Sequence, residues 1–367
     1  MAVSDTSLAR GSDRMRETRS STEKWMSTPA FERARLRLAR ELMGWSQAQL
    51  ATKLKVTPAA LSQFESGSTR PSADTVARLS TILKVPVGFF AQPVTETHEG
   101  FFRSLRRTSV TDRRRARAIG YVAHDLASHA RSAGLFTTLS IPHVPAPELD
   151  AAPEHVEDLA AALRSSWQLP PGPVPNVVEL LESHGIAVIR LPLGSIDVDA
   201  FSLPFPDHPV VVLGTDKNDR ARSRFDAAHE LGHLLMHGDQ IWGLSQIEKQ
   251  AHVFAAAFLM PAADIRQALP DTVDWPRLFD LKRHWQVSLA ALLMRAKTLG
   301  RMNEATYLAA VKAASARGWR KVEPVPLGAP EQPRQILTYM GALHGSNAKP
   351  HLPIHIVDSI AAATAAS

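Results

Sequence analysis

The sequence contains no cysteine. That absence removes a disulfide framework, a thiolate nucleophile and any Cys-ligated zinc, so a metal site here has to draw on His, Asp or Glu. Long apolar runs are missing too. Apolar stretches such as Leu289 to Met294 fall far short of the roughly 18 residues of a membrane span, which excludes a membrane protein of that kind. The N-terminal stretch has no apolar core and carries Asp5, Asp13, Glu17 and Glu23, so neither a secretory signal nor a transit peptide fits. A cytoplasmic protein with a disordered tail over residues 1–29 is expected. Aromatic residues make up 6%, against 44% hydrophobic and 21% charged residues. That ordinary balance excludes wholesale disorder, collagen and coiled-coil arrays. A length of 367 residues fits two or three domains of roughly 150 residues each.

The formal charge of +6 is unevenly spread. Between Phe31 and Gly120 the basic residues outnumber the acidic ones by more than that whole-chain total, so the remainder is close to neutral or slightly acidic. A basic N-terminal part suits a polyanion, although a solvated basic face explains the charge equally well.

From Phe31 to Gln92 the pattern is one of short helices and tight turns. Ala34, Leu38 and Leu42 recur at helical spacing, and Gly44 ends that helix. Ser46 with Gln49 forms a capping-box pattern, opening a helix whose inner face is Leu50, Ala51 and Leu54. Thr57 can cap a third helix with Pro58 at its first position, and Val56 and Leu61 occupy the places of a hydrophobic staple. Gly67 stops it, Ser72 to Leu83 supplies a fourth helix, and Val85 to Phe90 closes the core. Two capped helices about three residues apart have helix-turn-helix geometry. The run RLARELMGWSQAQLATKLKVTPAALSQFESGSTRPSADTVARLSTIL closely resembles the lambda-repressor-like (XRE, Cro/C1-type) DNA-binding family. The resemblance implies double-stranded DNA as a partner, with Gln47 on a phosphate and Thr57, Pro58, Ala59, Ser62 and Gln63 facing the DNA. Gln63 is able to pair with adenine. Pro58, Ala59 and Ala60 donate little, so base readout is sparse and affinity leans on phosphates. Helix-turn-helix proteins often pair over two half-sites, which allows a homodimer. The competing reading is a four-helix bundle that binds another protein.

The Arg-dense stretch from Gly100 to Ile119 reads as a basic linker, a DNA-backbone clamp or the solvated face of a helix. Pro142 to Pro153 punctuates the chain. Helices are expected over Val156 to Trp167 and Val177 to His184. The β-branched runs Ile186 to Leu191 and Val210 to Leu213, separated by a stretch holding Asp197 and Asp199, suggest a small antiparallel sheet.

Arg222 to His237 reads RSRFDAAHELGHLLMH and contains H-E-x-x-H. His229 and His233, four apart, share one helical face and can reach one ion, while Glu230 points at a water beside it. Zinc lowers the pKa of such a water from about 15.7 toward roughly 7, and Glu230 is placed as general base against a polarised peptide carbonyl. The strand-like edge ahead of this helix suits an extended peptide added by β-augmentation. Catalytic zinc usually keeps three protein ligands. The candidates for the third are His237, Glu248 and His252. His237 lies a further turn along the same helix, converges poorly with the other two and reads as packing. Glu248 opens the run EKQAHVFAAAFLMP, and His252 stands four residues on as a rival ligand or an outer partner.

The combination of FDAAHELGHLLMH, EKQAHVFAAAFLMP and LKRHWQVSLAALLMRAKTLGRM resembles the ImmA/IrrE family of zinc metallopeptidases over roughly Ala151 to Met302. The resemblance implies Zn2+ held by His229, His233 and Glu248, with Glu230 catalytic. His252 stands where that family usually has Asn. Such peptidases relieve repression by cutting a lambda-repressor-like regulator in mobile-element or stress circuits.

The fold class expected is mainly α with a small antiparallel β-sheet (α+β). An all-α helix-turn-helix domain at 30–92 is followed by a basic helical linker at 93–150. A zincin-like metallopeptidase domain occupies 151–305, and a helical, Pro-rich extension 306–367, with its last ten residues disordered. The function expected is a DNA-binding regulator with zinc endopeptidase activity, acting on a repressor-type regulator or on itself. Two alternatives stand beside it: a transcription factor with a non-hydrolytic zinc site, and a peptidase whose helix-turn-helix docks protein.

Overall fold

The computed structural model describes residues 30–97, 109–193, 199–238, 245–344 and 351–365. The expected N-terminal tail, Arg103, Arg106, Arg107 and Asp197 lie outside them. Helices α1 (Arg33–Leu42), α2 (Gln47–Leu54), α3 (Pro58–Ser66) and α4 (Ala73–Leu83) form the first module, closed by a 3-10 turn at Val87–Ala91. The caps follow the sequence. Ser46 and Gln49 make both bonds of a capping box, and Thr57 and Ser72 accept the Ala60 and Thr75 amides. Leu36, Leu50, Leu54, Leu61, Leu79 and Leu83 are fully buried.

The long helix α5 (Val110–Ser132) packs on both flanks. On one flank it meets α1, where Asp125 pairs with buried Arg35. On the other, Gly120 lets it press against the sheet, since a Cβ there would lie 2.2 Å from Leu203 Cδ1. One apolar core therefore runs from Leu36 and Phe89 through Leu126 to Phe201 and Val212. Arg113, Arg114 and Arg115 are exposed on the first turns of α5, as a solvated helix face requires.

The sheet has strands β1 (Ala187–Leu191), β2 (Ala200–Leu203) and β3 (Val210–Gly214) in the order β1-β3-β2. β2 runs antiparallel to β3, with Phe201 opposite Val212, whereas β1 runs parallel to β3, with Ile189 opposite Val212. The sheet is thus mixed, and the two apolar runs expected to be antiparallel are the parallel pair. The short strand β2, only AFSL, makes the return run between them and reverses the direction of the last strand. Both faces are buried, which is why the strands read as continuous apolar runs rather than alternating ones. Ala187, Ile189, Phe201, Leu203 and Val212 face the core shared with α5, and Val188, Ala200, Val211 and Leu213 face a second core.

That second core is filled from α6 (Pro153–Ser166), α7 (Val177–Ser183), α8 (Arg220–Met236), α9 (Ser245–Leu259), α10 (Ala262–Ile265), α11 (Trp275–Trp285), α12 (Leu289–Thr298) and α13 (Glu304–Ala316). The C-terminal part returns across the molecule as α14 (Gln335–His344) and α15 (Ile354–Ala365). Most of the last ten residues, expected to be disordered, are helical, because Ile356, Val357 and Ile360 are buried in the shared core. Two carboxylates fasten this extension. Buried Glu331 accepts the Val177 and Val178 amides at 2.8 and 3.2 Å and pairs with Arg224 of α8. Glu182 accepts the Arg334 and Gln335 amides at the head of α14, at 2.7 and 3.1 Å. Burial pushes its pKa up to about 7 against the pull of those donors. Among the described residues no helix is long and apolar enough to cross a membrane.

Candidate metal centre and nucleic-acid interface

Asp219 caps α8 by accepting the Arg222 amide at 2.8 Å, which fixes where the helix begins. His229, Glu230 and His233 then point inward and are buried, and the Nε2 atoms of the two histidines stand 3.1 Å apart. The helix α9 crosses close by because position 232 is glycine. A Cβ there would lie 2.8 Å from Phe254 Cδ1 and 3.3 Å from Phe254 Cβ. This approach brings Glu248, in the first turn of α9, to the histidines. Its Oε2 lies 3.4 Å from His229 Nε2 and its Oε1 3.8 Å from His233 Nε2. One ligand atom from each of the three residues lies within 4.8 Å of the others.

These donors fit zinc. Bonds of about 2.0–2.1 Å at a tetrahedral angle place neighbouring donor atoms about 3.3 Å apart; the two histidine nitrogens are 3.1 Å apart, and they stand 3.4 and 3.8 Å from the Oε2 and Oε1 atoms of Glu248 respectively. His252 does not join that group. Its ring meets the edges of His229 and Phe225, with centroids 4.9 and 5.4 Å away.

His237 was expected to serve as packing, yet it makes two polar contacts. Its Nδ1 lies 3.0 Å from His233 Nδ1 and its Nε2 3.0 Å from Gln250 Oε1, while Gln250 Nε2 donates to the Glu148 carbonyl at 2.7 Å. Burial holds the His237 pKa down to about 4 despite the Gln250 hydrogen bond, so the ring is neutral at ordinary pH. The sequence reading also missed Ser202. Its hydroxyl, wholly buried on the α8 side of β2, donates to Glu230 Oε2 at 2.6 Å. The available signal was one polar residue inside the apolar strand AFSL, at an inward-facing position.

In the first module, Gln47, Thr57, Pro58, Ala59, Ser62 and Gln63 are all exposed. Gln47 also donates through Nε2 to Glu65 at 2.8 Å. Glu65 in turn receives a two-pronged bond from buried Arg40, at 2.6 and 3.0 Å. This pair ties α1 to α3 and orients Gln47 at the head of α2. At the C-terminal end of α2 a groove is lined by Lys53, Lys55 and, from α4, Arg78.

Residues 36–90 match the helix-turn-helix family model, and residues 181–297 match the model of the IrrE N-terminal-like domain of the peptidase M78 family. Two curated relatives are uncharacterized HTH-type transcriptional regulators, from Sinorhizobium medicae (strain WSM419) and Rhizobium meliloti (strain 1021). Each is 39% identical over 57 residues, which is 16% of this chain. The chain spans 41% of the length of those relatives.

Proposed function

We propose that this chain, an XRE-type helix-turn-helix regulator carrying an IrrE-like peptidase-family domain, is a DNA-binding zinc endopeptidase that cuts a repressor-type regulator or itself. The observation that carries the reading is the donor cluster of His229, His233 and Glu248, with Glu230 buried next in the chain to the first of them. Zinc held by those three residues would supply a Lewis acid that acidifies water and polarises a carbonyl. Glu230 takes a proton from the attacking water and delivers it to the leaving amine. Ser202 holds one oxygen of that carboxylate, which fixes the direction in which the other faces. As an edge strand on the same side of the sheet, β2 can accept an extended peptide by strand addition, so main-chain hydrogen bonds align the scissile bond.

The exposed heads of α2 and α3 bring Gln47, Thr57, Pro58, Ala59, Ser62 and Gln63 to DNA. Gln63 is the residue suited to reading an adenine. A chain that reads DNA at one end is suited to a substrate that also works on DNA, in the cytoplasm, and to pairing as a homodimer over two half-sites.

The test is mapping of new protein N-termini by mass spectrometry in cells expressing the wild-type chain or Glu230→Gln, with and without DNA damage. Termini that appear only with the wild type identify the substrate and the scissile bond. Identical termini in both strains under every condition would overturn the peptidase and favour a non-hydrolytic zinc site. DNA binding measured at two ionic strengths tests the other end, since release of counterions makes affinity fall steeply with salt. Salt-independent or absent binding would return the helix-turn-helix to protein docking.

A further inference from the structure

A histidine binds a metal only through a nitrogen that carries no proton, so a neutral ligand must keep its single proton on the other nitrogen. His229 and His233 approach each other and Glu248 through Nε2. His233 therefore needs its proton on Nδ1, and the contacts behind it decide whether the proton stays there.

They can be read from the outside inward. The Glu148 carbonyl is purely an acceptor, so the Gln250 atom 2.7 Å from it must be the amide nitrogen, and Gln250 is thereby oriented with Oε1 toward His237. Oε1 can only accept, so His237 Nε2 carries that ring's proton and its Nδ1 is left as an acceptor. The atom 3.0 Å from that acceptor is His233 Nδ1, which must then be the donor. The lone pair of His233 is left on Nε2, on the side of His229 and Glu248. His233 and His237 are wholly buried and Gln250 nearly so, so water does not compete for these bonds. The chain starts in the segment IPHVPAPE, where Pro142, Pro145 and Pro147 restrict the backbone ahead of Glu148.

We infer that His237 and Gln250 are positioning residues for the metal centre, holding His233 as the Nδ1–H tautomer with the Glu148 carbonyl as the fixed point. The role of the metal rests on the proposed function, whereas the tautomer is a property of the chain itself.

The test uses the full-length protein in two measurements. The first is long-range proton–nitrogen NMR on the 15N-labelled, metal-free chain, with the His233 and His237 signals assigned by substitution. The expected result is His233 protonated on Nδ1 and His237 on Nε2, and the opposite pattern overturns the proposal. The second is zinc affinity by chelator competition for the wild type, Gln250→Leu, His237→Leu and His237→Asn. Loss of an outer partner of this kind costs about 10–100-fold in metal affinity. His237→Leu should fall in that range and Gln250→Leu should weaken binding in the same direction. His237→Asn, whose side-chain oxygen can take the place of Nδ1, should recover much of the loss. If His237→Asn is as weak as His237→Leu, or if His237→Leu binds zinc like the wild type, His237 only packs and the proposal falls. Should the leucine variants melt at the assay temperature, the wild-type tautomers decide. If the wild-type chain takes up no zinc, the peptidase reading fails, and the NMR result alone decides the tautomer.

Discussion

Replacing Gly232 with alanine adds one methyl group, at a point where two helices touch without room for it. The new Cβ would lie 2.8 Å from Phe254 Cδ1, 3.1 Å from Cγ and 3.3 Å from Cβ. An ordinary carbon–carbon contact is about 3.5–4.0 Å. Turning the phenyl ring relieves only the first of these contacts, because the Phe254 Cβ is fixed to the backbone and the ring is already fully buried. α9 has to move away by a few tenths of an ångström to about 1 Å. Overpacking of this kind costs about 1–3 kcal/mol, and the higher helix propensity of alanine returns about 1 kcal/mol. Global stability should therefore fall by no more than about 2 kcal/mol. The metal centre should suffer more. Glu248 rides on α9 about 1.7 turns before Phe254, and metal–ligand distances tolerate only about 0.2 Å. Gly232→Ala is expected to weaken zinc binding tenfold or more while leaving a cooperative melt within several degrees of the wild type. The double variant Gly232→Ala/Phe254→Leu should regain part of the affinity, because the smaller side chain lets α9 return. Chelator competition and thermal unfolding read the two quantities separately. Wild-type zinc affinity in Gly232→Ala would refute the view that this close crossing places Glu248.

Ser202→Ala removes a buried donor to Glu230, and a hydrogen bond to a charged group contributes about 1.5–3 kcal/mol. On the peptide identified by N-terminal mapping, kcat should drop about 10–100-fold with KM and zinc content little changed, and a change confined to KM would count against the assignment. Glu65→Leu takes from buried Arg40 its two-pronged partner and leaves it the Trp45 carbonyl and Glu41 Oε1 at 3.9 Å; breaking a buried pair costs up to about 3–5 kcal/mol, so urea unfolding should show a clear loss together with lost DNA binding. For Glu182, the folded pKa of about 7 lies above the ordinary value of 4.5, so the folded state holds a proton that the unfolded state has released. This group's contribution is therefore fully favourable below pH 4.5 and declines as the pH rises to 7, by up to about 3 kcal/mol at 1.36 kcal/mol per unit. Comparison of urea midpoints at pH 5 and pH 7.5 for wild type and Glu182→Gln checks it, and equal slopes would show that the group is not protonated in the fold.

The parts of the molecule legible in the sequence are those written in local chemistry. Caps at Ser46, Thr57 and Ser72, stops at Gly44 and Gly67, and the i, i+4 spacing of His229 and His233 each act within a few residues. The helices of the first module and the shared face of His229 and His233 on α8 follow from them. The third member of the cluster, Glu248, came from family resemblance, and spacing alone left His252 as a rival. What escaped depends on partners far along the chain. β2 is too short to announce itself, and missing it turned a parallel pair into an expected antiparallel one. His237 looked like packing because its partner, Gln250, and that residue's partner, Glu148, belong to other elements. The Arg40–Glu65 and Arg224–Glu331 pairs are invisible for the same reason, since each charge reads as surface until the fold buries it.

The core shared across α5 bears on reach. On the proposed function, helices that read DNA and were tied to the peptidase by a loose string of residues would let the cutting site sweep a wide volume around an operator, with any nearby protein within range. With α5 buried on both flanks, swinging one part against the other means opening an apolar interior, so α3 and the His229–His233–Glu248 cluster keep a set separation and angle. For an enzyme that acts on neighbours along the same duplex, the phase of the double helix becomes a selector. Inserting half a helical turn between two binding sites would carry a substrate to the far side of the DNA, and inserting a whole turn would bring it back to the same side.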